Sequence, residues 1–218
     1  MPPRSLEHRE LTEIYSAIEI YYTEKVLQFG ATPRGVDWES GITQEVRFVQ
    51  LLRICDFSES FSLNDVGCGY GALSSYLSKY HADTDIDYLG FDLSSDMVRR
   101  AAANRPGRSS IEFVVSHVSP RTADYSVASG IFNVKLDQAT ERWEAFVGKT
   151  LDDMRETSRR GFAVNFMAPR ANGQPTNAGL YATLPGPWIR HCEHELGSTV
   201  ELLGDYGLCE FTLLVRPR

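Results

Sequence analysis

The sequence predicts an α/β fold, in which a mostly parallel β-sheet carries helices on both faces. After residue 58, short apolar runs alternate with amphipathic stretches, an order typical of strands joined by helical crossovers. A glycine-rich turn follows the first apolar run and opens a helical stretch, as happens at the ligand-binding end of such sheets. The last two apolar runs lie too close together for a helical crossover, so we expect them to pair antiparallel.

Residues 1–57 lack this alternation, and we expect them to form a helical extension that acts as a lid on the sheet domain, residues 58–218. A helix or helix pair is predicted over residues 5–28, where apolar side chains recur at spacings of three and four. Residues 29–41 are dense in Gly, Pro, Asp and Ser, which predicts a loop. Trp38 in this loop can either cover a binding site or pack as part of a connector.

A second helix is expected directly after this loop. Thr43 can cap its amino end, because a hydroxyl oxygen can accept a bond from a free backbone N–H of the first turn. Arg47 on this helix has two interpretations: it reaches a cofactor carboxylate, or it pairs with Glu45 or Asp56.

The elements of the sheet domain follow from the period of the apolar side chains and from the turn residues between them. Strands are predicted over residues 61–66, 86–91, 111–115, 125–128 and 161–166, with a terminal hairpin over 200–203 and 210–215. Helices are predicted over residues 72–80, 94–104, 140–157 and 188–196. The stretch 167–184 is rich in Gly, Pro and Asn and predicts a loop of the length that often carries a binding site.

Composition and charge narrow the function classes. The 218 residues, 42% hydrophobic and 23% charged, suit one globular α/β domain. A formal net charge of -7 and the lack of a Lys/Arg cluster argue against a nucleic-acid partner. No apolar run nears the roughly 20 residues that cross a bilayer, so we expect no membrane span and a cytoplasmic protein.

We expect neither a disulfide framework nor a metal site. The four cysteines show no C-x-x-C spacing, which a zinc site or redox motif would favour. His191 and His194 lie three residues apart and share a helix face, yet nothing nearby completes a ligand set. A solvated helix face is therefore the expected role of this histidine pair.

The stretch around the glycine-rich turn carries the chemistry. Gly67 and Gly69 follow a predicted strand and open a helix, where glycine lets the backbone turn tightly and approach a ligand. Asp92 ends the next strand, at about the spacing that places a carboxylate on the ribose hydroxyls of an adenosine. The two elements together predict a site for an adenosine-containing cofactor.

The glycines also fit a dinucleotide fingerprint, since Gly67, Gly69 and Ala72 read G-x-G-x-x-A. Asp65 argues against it, because a carboxylate two residues before the first glycine would repel a pyrophosphate. S-adenosylmethionine has no phosphate and carries an ammonium and a sulfonium, which a carboxylate favours. The terminal hairpin also departs from the repeated βαβ half of a dinucleotide domain, so S-adenosylmethionine is the predicted cofactor.

The run D-V-G-C-G-Y-G, the strand ending G-F-D-L and the terminal hairpin resemble the class I S-adenosylmethionine-dependent methyltransferases. The resemblance covers residues 58–218. It implies a Rossmann-like sheet of seven strands in the order 3-2-1-4-5-7-6, with the seventh strand antiparallel. The cofactor-binding residues expected from it are Asp65, Gly67, Cys68, Gly69, Asp92, Leu93, Met97, His117, Val118 and Ser129.

The resemblance also implies roles for these residues. Asp65 and the glycines would contact the methionine part of the cofactor, and Asp92 would bind the ribose. Leu93 and Met97 would flank the adenine. His117 stands near the position where many relatives carry an acid that meets the adenine amino group.

The sequence after the fourth strand, S-G-I-F-N, lacks the D/N-P-P-Y pattern of adenine or glutamine methylation and the Pro-Cys of cytosine methylation. Transfer to a nitrogen or oxygen atom of a small molecule is therefore expected, by in-line displacement. Candidate bases are His117, His191, Tyr181 and Asp37, and no spacing singles out a catalytic residue. The alternative is a non-catalytic module that binds the cofactor or its demethylated product, with Phe132 or the 167–184 loop plugging the site.

Overall fold

The computed structural model describes residues 6–38, 40–107, 110–169 and 177–218. Its strands are β1 (Phe61–Val66), β2 (Ile86–Asp92), β3 (Ile111–Val115), β4 (Ala123–Ala128), β5 (Ser158–Met167), β6 (Ser198–Leu203) and β7 (Glu210–Pro217). Its helices are α1 (His8–Phe29), α2 (Gly41–Leu51), α3 (Ala72–Tyr80), α4 (Ser95–Ala103), α5 (Thr140–Glu156) and α6 (Pro185–Arg190). The elements of the sheet domain therefore lie where the sequence predicts them, with small changes at their ends.

The seven strands form one sheet in the order β3-β2-β1-β4-β5-β7-β6. The central strand β1 pairs in parallel with β2 and with β4, and β2 and β4 continue in parallel to β3 and β5. The strand β7 runs antiparallel to both β5 and β6. This topology confirms the fold class and the strand order that the resemblance implies.

Helices cover both faces of the sheet. On one face, Ile14 of α1 and Trp143 of α5 belong to a buried apolar cluster that includes Phe91 of β2. On the other face, Leu51 of α2 and Leu73 of α3 pack in a second cluster. Because helices cover both faces, the central strands β1 and β2 are buried along almost their whole length, as expected of a parallel sheet.

The N-terminal helix α1 lies across the carboxyl ends of the strands. Near its amino end, Glu13 accepts a bond of 2.7 Å from Arg142 of α5. Near its other end, the Thr23 and Ser94 hydroxyls lie 2.7 Å apart, and Ser94 caps α4 directly after β2. These contacts place α1 over the mouth of the sheet, where ligands bind in folds of this type. None of the described helices is long and apolar enough to span a membrane.

Three local expectations differ from the structure. The cap of α2 is Ser40, whose side chain accepts a bond from the backbone N–H of Thr43, so the helix begins before Thr43. The helix predicted over 188–196 begins at Pro185 and continues beyond Arg190 as a short π-helical turn. In this turn His191 bonds to Asp152 at 3.0 Å with a side chain only 9% exposed, so it does not lie on a solvated face.

Candidate cofactor and acceptor site

A cleft opens at the carboxyl ends of β1, β2, β3 and β4, where the following loops meet α1 and the loop after it. Its empty volume, which includes space open to solvent, is about 1000 Å³. Nine predicted cofactor residues line it: Asp65, Gly67, Cys68, Gly69, Asp92, Leu93, Met97, His117 and Ser129. Val118 is not among the lining residues; its side chain is 44% exposed, and its N–H donates to Ser116 Oγ.

The turn after β1 needs its glycines. Gly67, Gly69 and Gly71 have φ angles of 68°, 53° and 82°, in the left-handed region that other residues rarely adopt. A Cβ at Gly67 would also stand 2.5 Å from Ile131 Cγ2. The N–H groups of Gly67 and Cys68 both donate to the Phe91 carbonyl, which ties the turn to the end of β2.

Asp92 is fixed by the same turn. One carboxylate oxygen accepts the Gly69 N–H at 2.9 Å, and the other accepts the Ser94 N–H at 2.9 Å. Burial raises the pKa of Asp92 above its ordinary value, and the N–H bonds from Ser94 and Gly69 oppose that rise. The carboxylate is therefore held rigidly at the end of β2, beside the glycine turn.

Asp65 is a buried acid, only 3% exposed, in the next-to-last position of β1. The Tyr88 hydroxyl donates a short hydrogen bond to it. Burial raises the pKa of Asp65 to about 7, against the lowering effect of this bond. No Lys or Arg stands among the described residues that line the cleft, so a cationic ligand group would find an acid without a cation partner.

Aromatic side chains form the opposite wall of the cleft. Tyr15 and Tyr22 come from α1, and Phe146 comes from α5. The Tyr15 and His117 rings lie 5.0 Å apart, which joins α1 to the loop after β3. Both tyrosines belong to the helical pattern predicted over residues 5–28, and their spacing of seven is the signal that they share one face.

Trp38 lies over the turn that follows β4. A Cβ at Gly130, which has a φ of 73°, would collide with the Trp38 ring. The Arg47 guanidinium lies 3.8 Å from the centre of the same ring. Arg47 forms a buried ion pair with Glu210 of β7, so both interpretations of this arginine are wrong.

Of the four candidate bases, His117 lines the cleft. The other three are paired elsewhere: Asp37 with Lys25, His191 with Asp152 and Tyr181 with Glu144. No group of three or more His, Cys, Asp or Glu side chains in the described ranges could hold a metal ion.

Phe132 does not plug the site. It is fully buried, and its ring stacks on Phe166 with centroids 5.3 Å apart, in the apolar cluster that holds Ile14 and Trp143. Residues 170–176 of the 167–184 loop lie outside the described residues. Within the described residues the cleft is partly open to solvent.

Residues 64–156 match a family model described as a methyltransferase domain. A putative methyltransferase of Mycobacterium tuberculosis, Rv1506c, is 43% identical over 165 residues, which cover 76% of this chain and 98% of the relative. The fold resembles magnesium protoporphyrin IX methyltransferase of Synechocystis with bound S-adenosylhomocysteine (TM-score 0.64, 12% identity, 95% of this chain and 99% of that one). It also resembles human N-acetylserotonin methyltransferase bound to S-adenosylmethionine (TM-score 0.64, 18% identity, 94% of this chain and 59% of that one).

Proposed function

Since this chain belongs to the class I S-adenosylmethionine-dependent methyltransferases, we propose that it methylates a nitrogen or oxygen atom of a small molecule. S-adenosylmethionine is the cofactor, and it supplies an activated methyl group on a sulfonium sulfur. One observation supports the proposal most: a single cleft brings together a buried acid, a glycine turn and a fixed carboxylate, with no cationic side chain among its described lining residues. A dinucleotide would bring a pyrophosphate to this cleft, where Asp65 would repel it.

The residues of the cleft fit the cofactor. We assign the ammonium group to the neighbourhood of Asp65, because a buried carboxylate without a cation partner gains most from an added positive charge. Gly67 and Gly69 would let the methionine part approach the backbone closely. Burial raises the pKa of the Cys68 thiol well above its ordinary value, so the thiol stays protonated. Cys68 would therefore contribute to the turn through its backbone.

The adenosine part extends, in this proposal, from β2 towards β3. Asp92 would accept hydrogen bonds from the ribose hydroxyls, in addition to those from Gly69 and Ser94. Leu93 and Met97 would flank the adenine, and His117 would meet its edge. Ser129, after β4, would then lie on the side of the methyl group.

The protein contributes chiefly by positioning. Fixing the acceptor in line with the methyl group can supply roughly 7–11 kcal/mol of the barrier. A neutral amine needs only an exposed lone pair, whereas a hydroxyl acceptor also needs a base within hydrogen-bond reach.

We further propose that residues 1–57 act as the lid of residues 58–218, supported by Tyr15, Tyr22 and Trp38 in the cleft wall. The four cysteines are free thiols, which persist in a reducing compartment. We therefore propose a cytoplasmic location. A small-molecule acceptor, in place of a nucleic acid, is supported by the acidic net charge of -7.

The test is a screen with S-adenosylmethionine labelled on its methyl group, which measures incorporation across metabolite classes. Calorimetry should show binding of S-adenosylmethionine and S-adenosylhomocysteine, and none of NAD. Asp92→Asn serves as the impaired variant and Asp85→Asn, an exposed acid at the opposite ends of the strands, as its matched control. Binding of cofactor with no transfer to any acceptor would favour a non-catalytic module.

A further inference from the structure

One short segment of the chain touches the cleft at two places. In the loop after α1, the Val36 side chain lies 3.1 Å from where a Cβ at Gly69 would stand. Two residues later, the Trp38 ring meets the place that a Cβ at Gly130 would take. Gly69 belongs to the turn after β1, and Gly130 follows β4, the neighbour of β1 in the sheet. Val36 and Trp38 both line the cleft, so this segment bridges two turns at its mouth.

Asp37, the residue between these two, contacts α1 and is not among the described residues that line the cleft. One of its carboxylate oxygens accepts the Tyr21 hydroxyl at 2.6 Å, and the other lies 2.6 Å from the Lys25 ammonium. Tyr21 and Lys25 stand four residues apart, on successive turns of α1. The carboxylate therefore ties the segment to this helix, and we call Tyr21, Lys25 and Asp37 the latch.

The backbone turns at Asp37. Its φ of 59° is left-handed, a conformation that Asp and Asn tolerate better than most residues other than glycine. The Trp38 N–H then donates to the Pro33 carbonyl at 2.9 Å, which closes the turn. A glycine at position 37 would therefore keep this backbone and remove only the carboxylate.

The latch is weak enough to open. The Asp37 and Lys25 side chains are 26% and 29% exposed, so solvent screens the attraction between them. On the other side of the loop, the Arg47 guanidinium lies 3.8 Å from the centre of the Trp38 ring and is itself held by buried Glu210. The loop is thus held at α2 by a buried contact and at α1 by bonds that water can replace.

Tyr22 joins the latch to the cleft. It follows Tyr21 on α1 and lines the cleft, and the two rings pack edge to face with their centres 5.1 Å apart. Burial raises the pKa of Tyr22 above its ordinary value, and the charges of Asp37 and Asp92 raise it further. The Tyr22 hydroxyl is therefore within electrostatic reach of the latch carboxylate and of the carboxylate that we assign to the ribose.

We propose that the latch gates the exchange of the cofactor: it holds Val36 and Trp38 over bound S-adenosylmethionine, and its release opens the cleft. This inference rests on the proposed function, because it places the cofactor at the glycine turn that Val36 covers. Asp37 is a positioning residue, since it acts through its two neighbours. Because Asp37 does not touch the cofactor, loosening the latch speeds entry and exit alike and leaves the affinity unchanged.

The test measures the association and dissociation rates of S-adenosylhomocysteine by surface plasmon resonance, so it needs no acceptor. The main variant is Asp37→Gly, in which the left-handed turn is kept and the carboxylate is lost. We expect both rates to rise about fivefold, which corresponds to about 1 kcal/mol, the upper end for a part-exposed pair. The dissociation constant should stay within about twofold of the parent value, which a variant that only damages the bound site would not show.

Further variants test the bonds of the latch one at a time. Tyr21→Phe should raise both rates about threefold, because it removes one bond and keeps the ring that packs on Tyr22. Added to Asp37→Gly it should change nothing more, since its partner is already gone. Asp37→Asn can still accept the Tyr21 hydroxyl, so its rates should lie between those of the parent protein and of Asp37→Gly. Glu19→Gln, which changes an exposed acid of α1 outside the latch, is the control and should keep the parent rates.

The outcomes distinguish the latch from the function on which it rests. Parent or slower rates in Asp37→Gly, or faster dissociation with unchanged association, would overturn the latch, and methyl transfer in the acceptor screen would still support the proposed function. Faster exchange at unchanged affinity, with no methyl transfer to any acceptor, would support the latch and count against catalysis. If the parent protein does not bind S-adenosylhomocysteine, both proposals are wrong.

Discussion

Asp65→Asn should make the free protein more stable and its cofactor binding weaker. The asparagine has the same shape and can still accept the Tyr88 hydroxyl bond, so the variant removes little more than the charge. Burial raises the pKa of Asp65 from 3.8 to about 7. At about 1.4 kcal/mol per pKa unit, the buried charge costs the folded state up to about 4 kcal/mol at pH 8.

The sign of this effect changes with pH in a defined way. The folded pKa of Asp65 lies above its unfolded value, so the folded state binds the proton more tightly. The stability contributed by this group is full below about pH 4 and is lost as pH rises towards 7. Asp65→Asn should therefore match the parent protein near pH 4 and exceed it in free energy of unfolding at pH 8.

Cofactor binding should change in the opposite direction. Ionised Asp65 attracts a cation, so the affinity of the parent protein for S-adenosylmethionine should fall about tenfold per pH unit below pH 7. In Asp65→Asn the affinity should be lower at pH 8 and nearly independent of pH. Calorimetry from pH 6 to 8.5 measures the affinity, and urea unfolding at pH 4.5, 6 and 8 measures the stability.

Asp85→Asn is the control, because Asp85 is an exposed acid that precedes β2 at the end of the sheet away from the cleft. It should change neither quantity by more than about 0.5 kcal/mol. The reasoning is refuted if Asp65→Asn is less stable than the parent protein at pH 8. It is equally refuted if the parent protein binds S-adenosylmethionine with the same affinity at pH 6 and pH 8.

Three further perturbations test other parts of the site. Asp92→Ala should weaken S-adenosylhomocysteine binding by about 1–3 kcal/mol in calorimetry. Unchanged affinity would mean that the ribose does not bind to this carboxylate. Glu210→Met should lower the free energy of unfolding in urea by about 3–5 kcal/mol, because buried Arg47 loses its counter-charge. Adding Arg47→Met should recover most of that loss. If the double variant is no more stable than the single one, the pair does not act as a unit. Residues 30–41 should exchange amide hydrogens more slowly with bound S-adenosylhomocysteine; equal exchange, with the turn of residues 67–71 protected, would leave Trp38 as packing alone.

The part of the cleft around the glycine turn could be predicted from the sequence because its signals are local. Gly67 and Gly69 have left-handed φ angles that the glycine spacing indicates, and Asp92 stands directly at the end of a strand. Each of these features depends on a few neighbouring residues. The cap of α2 is also a local feature. The sequence predicts it at Thr43, and the structure has it at Ser40, less than one turn away.

The aromatic wall of the cleft could not be predicted, because its residues meet only after distant segments dock. Tyr15 and Tyr22 reach the cleft because α1 lies across the strand ends, held by Thr23 against Ser94 and by Glu13 against Arg142. A helical period predicts which side of α1 is buried, but the partner that buries it depends on tertiary packing. Arg47 shows the same limit, since Glu210 lies 163 residues away.

The separation of Arg47 and Glu210 has a consequence for the chain as it leaves the ribosome. The strand β7 fills the place between β5 and β6, so until it is translated the edge of β5 stays without its neighbour. During that interval Arg47 has no Glu210, and the guanidinium that backs Trp38 has no counter-charge. A nascent chain can thus form its glycine turn early, while Arg47 and the Trp38 ring that it contacts are fixed only when β7 joins the sheet.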